Sequence, residues 1–403
     1  MISLNLLRAT GYPCIDSDQR PSYYSYALYP HGGGFDPVKV DALFSANCYT
    51  IYGGGYMKSI AEIDSNFKVE TQITQQGIRF YNALHAPFQI HGVYHENGKF
   101  RRIPEEIAKS TNEGVLVLHA NTAGGRVRFV TDSPYVAIHA KMPQVGKMPH
   151  FAFTGSAGFD LYEGETYLKS FMPPLGVEDG YESIQWLDGG KKLRELTLHL
   201  PLYSDVGELY IGLDEKAQLL PASAYRVQLP IVYYGSSITQ GGCASRPGNC
   251  YTNILSRKLN ADHWNLGFSG SARGEESIVN YIKGLPMSVF VLDYDHNAPT
   301  VEHLQATHGA MFRAIRKAQP ELPILILSRP KFYRVEEEDS RLEVIRETYR
   351  QAKEAGDENV YLIEGTALMA LAGNDGTVDD CHPNDLGFAS MAKAILPILQ
   401  SIL

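Results

Sequence analysis

The chain has 403 residues, 44% of them hydrophobic and 20% charged, with a net charge of −9. That balance excludes wholesale disorder, and the acidic excess argues against a nucleic-acid partner, which needs a basic face to neutralise phosphates. No run approaches the roughly 18 consecutive apolar residues of a membrane span, so no membrane partner is expected.

The length suggests two or three domains. The opening MISLNLLRATGYPC has no basic start followed by a long apolar run and is not read as a secretion signal. The five cysteines (Cys14, Cys48, Cys243, Cys250 and Cys381) are odd in number and irregularly spaced. They point to a reducing, cytoplasmic setting and not to a disulfide framework. Residues 1–66 are rich in Tyr and Gly, and their composition leaves an appendage and a leader equally open. Among them His31-Gly32-Gly33-Gly34 mimics the oxyanion loop of lipases. No Gly-x-Ser-x-Gly elbow accompanies it, so it is read as a turn.

Residues 67–228 have the texture of strands. GRVRFVTDSPYVAIHAKM alternates with period two around an Asp-Ser-Pro turn, and KLRELTLHLPLY and GELYIGLD read as further strands. IPEEIAKSTNEG is the one short helical candidate. The segment predicts an antiparallel β-sandwich, jelly-roll-like in plan. From 229 to 403 the pattern changes. The runs 231–235, 263–267, 287–293, 324–328 and 360–363 read as buried strands. Between them YTNILSRKL, ESIVNYIKG, VEHLQATHGAMFRAIRKA and EDSRLEVIRETYRQAKEAG carry apolar residues at helical spacing, and a last helix spans about 385–402. This predicts an α/β domain with a doubly wound, flavodoxin-like parallel sheet covered on both faces.

Two motifs carry chemistry. Gly235-Ser236-Ser237-Ile238-Thr239-Gln240-Gly241-Gly242 follows the first predicted α/β strand, where such folds bind ligands and where backbone N–H groups can face an oxyanion. Asp379-Asp380-Cys381-His382-Pro383-Asn384-Asp385 precedes the last helix. It offers a base, His382, three residues from a carboxylate, Asp379, that can fix its tautomer; Asp380 competes for that role, and Asn384 suits the N-cap.

With these motifs the C-terminal region resembles the SGNH, or GDSL-type, hydrolase superfamily. Ser237 matches the nucleophile block, Gly270 in Asn-Leu-Gly-Phe-Ser-Gly the glycine block, Asn297 in Leu-Asp-Tyr-Asp-His-Asn the asparagine block, and Asp379 and His382 the Asp-x-x-His pair. Ser236 stands where the family has Asp, and no Asp follows Asn297. Gly-x-Ser-x-x-Gln fits the GxSxxQ-type acylhydrolase branch, whose N-terminal β-sandwich bears a Gly-x-Asp-Leu-Tyr motif matched by Gly158-Phe159-Asp160-Leu161-Tyr162.

The resemblance implies acyl transfer through an acyl-enzyme. Ser237 attacks, His382 takes its proton, and Asp379 orients the imidazole. The N–H groups of Ser237 and Gly270 and the Asn297 amide hold the oxyanion, each donor contributing about 3–4 kcal/mol. Activity is expected to fall as His382 becomes protonated, near or below neutral pH. No metal ion or organic cofactor is implied. The expected partner is a small-molecule or carbohydrate acyl ester, acetyl first, because such sandwiches often accompany carbohydrate esterases; a shallow polar cleft would fit that substrate and a long apolar groove a lipid. A homo-oligomer is compatible with the sequence. The competing readings are an acyltransferase acting on a metabolite hydroxyl and an inert carbohydrate-binding protein.

Weaker candidates surround this set. Gln240, Arg246 and His296 are substrate-binding candidates, with bracing or surface roles as their alternatives, and Asn265 is expected to brace the site. Asp160 and Tyr162 are read as structural. Cys243 and Cys250 lack zinc-knuckle spacing and read as core or loop thiols, Cys381 as a bystander, and Glu336–Asp339 as a solvated helix start.

Overall fold

The computed structural model describes residues 69–403 apart from 334 and 335. The readings for residues 1–66, with the His31–Gly34 turn, Cys14 and Cys48, lie outside the described residues.

Among the described residues the first twelve strands are Ile78–Asn82 (β1), Gln89–His91 (β2), Tyr94–Glu96 (β3), Lys99–Arg101 (β4), Arg126–Thr131 (β5), Tyr135–Lys141 (β6), Phe159–Glu163 (β7), Thr166–Phe171 (β8), Gly180–Trp186 (β9), Arg194–His199 (β10), Glu208–Asp214 (β11) and Leu219–Leu220 (β12). They build two antiparallel sheets, β1-β11-β6-β9 and β12-β5-β10-β7-β8, with β2 also paired to β5 and a separate β3-β4 hairpin. The Asp132-Ser133-Pro134 turn does not close a hairpin, because β5 and β6 lie in different sheets. Gln218 explains the crossover: its N–H donates to Asp132 at 2.7 Å, and its carbonyl accepts from Thr131 at 2.7 Å. Those bonds hold the end of β5 beside β12.

The alternation of β5, β7 and β10 has a second consequence. Val127, Phe129, Phe159, Leu161, Leu196 and Leu198 fill the sandwich core, all fully buried. Each such side chain contributes about 1.5–3 kcal/mol over its exposed state. The residues between them, Arg126, Arg128, Asp160, Tyr162 and His199, face the other way and are also buried. Arg128 turns to Glu195 and Ser223, while the others meet the α/β part: Arg126 is ion-paired with Asp262, Arg246 donates to Asp160 at 3.0 Å, and Arg257 reaches His199 at 3.4 Å. The face that a free sandwich would show to water is here a polar internal contact.

The parallel strands are Val227–Gly235 (β13), Ala261–Gly267 (β14), Val289–Asp293 (β15), Ile324–Leu327 (β16) and Val360–Ile363 (β17), ordered β14-β13-β15-β16-β17. This is the doubly wound, flavodoxin-like order read from the sequence. Period two sends Ile231, Tyr233, Val289, Val291, Leu325 and Leu327 to one helix layer, and Val232, Tyr234, Phe290, Leu292, Ile324 and Ile326 to the other.

The segment 103–118, read as part of the sandwich, packs elsewhere. It forms two helices, Glu105–Thr111 (α1) and Glu113–Leu118 (α2). They break at Asn112, whose side chain caps the second by accepting from Val115 N–H at 2.9 Å. Ile103, Ala108 and Val115 enter the core on one face of the parallel sheet. Among the described residues no helix is long and apolar enough to cross a membrane.

Candidate active site

Sheet topology sets the location. In the order β14-β13-β15, the crossover from β13 runs to β14 on one side and the next crossover, from β14, returns to β15 on the other, so a crevice opens at the C-terminal ends of β13 and β15. Gly235 and Asp293, the last residues of those strands, are partners in register. A Cβ at Gly235 would collide with the Thr239 hydroxyl and the Asp293 carbonyl, so only glycine permits the chain to turn here. The turn enters a short helix, Ser237–Gln240 (α3). Ser236 is its N-cap, its hydroxyl accepting from Ile238 N–H at 3.1 Å. Ser and Asp both cap in this way, so Ser236 keeps the backbone role of the residue it replaces. Ser237 is the first helical residue, and its N–H has no intrahelical acceptor.

His382, 145 residues away in sequence, arrives on the loop before the closing helix Asp385–Ile402 (α4). The Ser237 hydroxyl donates to His382 Nε2 at 2.9 Å, and His382 Nδ1 donates to Asp379 at 2.8 Å. The other Asp379 oxygen accepts the backbone N–H groups of His382 at 2.7 Å and Cys381 at 3.2 Å. Partial burial pushes the Asp379 carboxyl up, but the His382 backbone and side chain and the Cys381 N–H outweigh it and hold it at about 2. Asp380, the competing carboxylate, points away to Lys331 at 2.9 Å. Asn384 caps α4, accepting from Leu386 and Gly387 at 2.9 and 3.1 Å.

The expected glycine lies on the turn after β14 and the expected asparagine on the turn after β15. Phe268 N–H donates to Gly235 O at 2.8 Å, and the Asn297 amide donates to Phe268 O at 2.7 Å. Gly270 has φ +66°, which favours glycine, and among the described residues no carbonyl accepts its N–H.

The three substrate-binding candidates take other positions. Gln240 is fully buried; its amide donates to Asn121 and Leu202 at 3.3 and 3.1 Å and accepts Ser269 N–H at 3.1 Å. With every polar group engaged it braces the 269–270 turn. Arg246 is held by Asp160 and by the Tyr162 hydroxyl, with its guanidinium 4.0 Å from the Tyr167 ring centroid. His296 is a neutral, largely buried ring: burial, then Arg329 and His382, lower its pKa well below the ordinary histidine value, and its Nδ1 lies 3.8 Å from Cys381 Sγ. Asn265 braces as expected, donating to Thr239 O at 2.7 Å.

The Gly-x-Asp-Leu-Tyr segment explains itself through this geometry. Leu161 points into the sandwich, while Asp160 and Tyr162 clamp the loop after α3: Asp160 also accepts Gly248 N–H at 2.9 Å. The same loop reaches the His382 side, because Ser245 N–H and Asn249 donate to Asp385 at 2.9 and 2.8 Å.

Several neighbours carry no local signal in the sequence. Tyr203 donates to Ser237 O at 3.2 Å. Phe151 and His150 bring their rings within 5.6 and 5.4 Å of His382. A cavity of 430 Å³ adjoins the 269–271 turn, lined by Ser269, Ser271, Tyr203, Asn121, Lys147 and Met148 among others. A second, of 460 Å³ around Phe312, Arg316 and Asp357, includes none of the candidate residues.

Asp293 is a buried carboxyl group near the site that sequence reading passed over. Thr239 and Tyr251 donate to it at 2.7 and 2.8 Å. Burial outweighs these donors and raises its pKa from 3.8 to about 7. Between those values the folded chain holds a proton that the unfolded chain lacks, so this group's contribution to stability declines as pH rises from about 4 to about 7. Asp293→Asn keeps an acceptor and removes the charge. Denaturant midpoints should show the variant gaining on the parent between about pH 5 and pH 8. A constant difference across that range would contradict the assignment.

Fold and site together define an ester-hydrolysing enzyme of the SGNH class. Residues 228–400 match the GDSL-like Lipase/Acylhydrolase family and residues 78–219 the GxDLY N-terminus of the Esterase_SGNH_hydro-type; the chain belongs to the GDSL-like acylhydrolases that carry this N-terminal module. A protein from Bacteroides ovatus assigned as a GDSL-like lipase is 26% identical, with a TM-score of 0.71 over 81% of this chain and 98% of its own. Two further structures share the fold. The salicylyl-acyltransferase SsfX3 of a tetracycline biosynthetic pathway is 19% identical, with a TM-score of 0.66 over 81% and 98%. The acetyl xylan esterase Est2A of Butyrivibrio proteoclasticus is 13% identical, with a TM-score of 0.54 over 80% and 98%. No curated protein matches the chain.

Proposed function

We propose that this enzyme is a serine acylhydrolase that removes small acyl groups, acetyl above all, from carbohydrate esters in a reducing compartment. The observation that carries the reading is the line of hydrogen bonds from Asp379 through His382 to Ser237. Asp379 fixes the tautomer in which Nε2 can take the Ser237 proton as Oγ attacks the ester carbonyl. The N–H groups of Ser237 and Gly270 and the second amide hydrogen of Asn297 serve the oxyanion. His382 then protonates the leaving alcohol, and water, deprotonated by the same imidazole, frees the acid.

The cavity beside Ser269 offers a hydroxylated substrate polar partners in Asn121, Gln144, Lys147, Ser269 and Ser271, set among the apolar Val117, Leu118 and Met148. The fold shared with an acetyl xylan esterase adds to that reading. The reducing compartment is supported by Cys243, Cys250 and Cys381, all free thiols. Turnover of acetylated oligosaccharides should exceed that of long-chain acyl esters. A preference for long chains would overturn the substrate assignment.

Asp379→Asn should lower kcat on the order of 10⁴-fold, because the amide favours the wrong imidazole tautomer. Asp379 remains ionised above about pH 4, so the acid limb of kcat/KM measured above that pH reports the base and not this carboxyl.

Transfer to an alcohol is the second reading, favoured by the fold shared with SsfX3. Product analysis with an acceptor present separates the two: free acid alone excludes transfer.

A further inference from the structure

Beside Ser237 three metal-ligating side chains converge from distant parts of the chain. His150 comes from the sandwich loop, Cys243 from the turn after α3, and His382 from the loop before α4. Their ligand atoms all lie within 4.8 Å of one another. Cys243 and His382 are held in place by hydrogen bonds. The Cys243 thiol donates to the His150 carbonyl at 3.4 Å, from a residue at φ +70°. The His150 and His382 rings have centroids 5.4 Å apart. His382 has its Nδ1–H already committed to Asp379 at 2.8 Å, leaving Nε2 as the available nitrogen. A carboxylate that orients an imidazole from behind is the arrangement found behind metal-bound histidines.

Tetrahedral zinc, with Zn–S near 2.3 Å and Zn–N near 2.0–2.1 Å, places its ligand atoms roughly 3.3–3.8 Å apart. The set is therefore about an ångström too open, and His150, which is exposed, has the freedom to close it. Two imidazoles and a thiol, with no carboxylate among them, select a soft cation over calcium or magnesium.

We propose that His150, Cys243 and His382 form a binding site for a soft divalent cation of the zinc type, and that filling it switches the enzyme off by taking His382 Nε2 from Ser237. On binding, the Sγ–metal bond forms as the thiol releases its proton to solvent, with no change of oxidation state. Only the inhibitory part rests on His382 as the base; the binding site stands on the ligand geometry.

The test uses Co²⁺ as a spectroscopic probe and Zn²⁺ as the inhibitor, on the full chain. One Co²⁺ per chain should bind with a thiolate-to-cobalt charge-transfer band that Cys243→Ala abolishes. Zn²⁺ should suppress aryl acetate turnover, and a chelator should restore it. His150→Ala, altered at an exposed residue outside the proposed reaction, should retain turnover and require at least roughly tenfold more Zn²⁺ for the same inhibition, the loss that even an outer-shell substitution produces. A parent chain without the thiolate band, or equal Zn²⁺ sensitivity in the parent and both variants, overturns the proposal. A full band with unchanged turnover upholds Cys243 as a ligand and overturns the switch, because His382 is then either not a ligand or not the base.

Discussion

Replacing Ser237 with alanine is expected to lower kcat by about a million-fold, the loss seen when a triad nucleophile is removed. The side chain is 93% buried, so truncation removes one hydroxyl from a packed turn, and the fold is expected to survive. Without Oγ no acyl-enzyme forms. What remains is the roughly 10³–10⁴-fold acceleration over water that substrate binding and oxyanion donors supply. Steady-state turnover of an aryl acetate measures the loss, and a fluorophosphonate probe that labels the parent chain at Ser237 should leave the variant unlabelled. A variant with parental turnover, or a parent chain labelled elsewhere, would remove the acyl-enzyme from the account. Thermal melting of both chains separates lost chemistry from lost structure.

Arg102→Met is expected to cost about 3 kcal/mol or more of stability, because it breaks a buried hydrogen-bond network at several backbone carbonyls. Arg102 is fully buried and satisfies its guanidinium with backbone carbonyls: Asn121 at 2.8 Å, Leu118 at 2.7 Å, Asn265 at 3.1 Å and Gly267 at 2.5 Å. Two lie before the sandwich strand β5 and two on β14, so one side chain ties the segment around α2 to the parallel sheet. Methionine fills much of the volume but donates nothing; the Leu118 carbonyl keeps the Asn121 N–H at 3.1 Å, and a buried carbonyl left without a donor costs about 1–3 kcal/mol before relaxation and water recover part. Against a usual total of about 5–15 kcal/mol, the chain would be marginal. Urea unfolding followed by tryptophan fluorescence suits the test, because Trp264 Nε1 donates to Arg102 O at 2.7 Å. A midpoint shift worth under about 0.5 kcal/mol, the scale of an ordinary surface substitution, would show that the carbonyls find other donors. Activity should fall with stability, since the guanidinium also stacks 4.6 Å above Phe268, at the start of the turn that carries Gly270.

The layered plan was legible because it depends on local periodicity. Helices 251–259, 301–318 and 385–402 and strand 360–363 lie where spacing and composition put them. The unbroken apolar runs of β13, β15 and β16 required both faces of the sheet to be covered, and both are. The letters of the candidate site were legible for a similar reason: a capped turn after a buried strand, and Asp-x-x-His before a capped helix, are short-range devices.

Tertiary structure decided the rest. Alternation marks Asp160 and Arg126 as outward-facing, but only the packing of the α/β part makes outward mean buried, and that gives Arg246 its partner Asp160. Gln240 and His296 likewise take partners that only the fold supplies, from the sandwich and from beyond β16. The amphipathic pattern of 105–118 specifies a helical face to be covered without saying which core covers it. The sequence by itself determined which faces must be buried and which residue types could exchange a proton. Only the folded chain, by closing the 145 residues between Ser237 and His382 to 2.9 Å, decided which of them meet, because periodicity acts over a few residues and burial over the whole molecule.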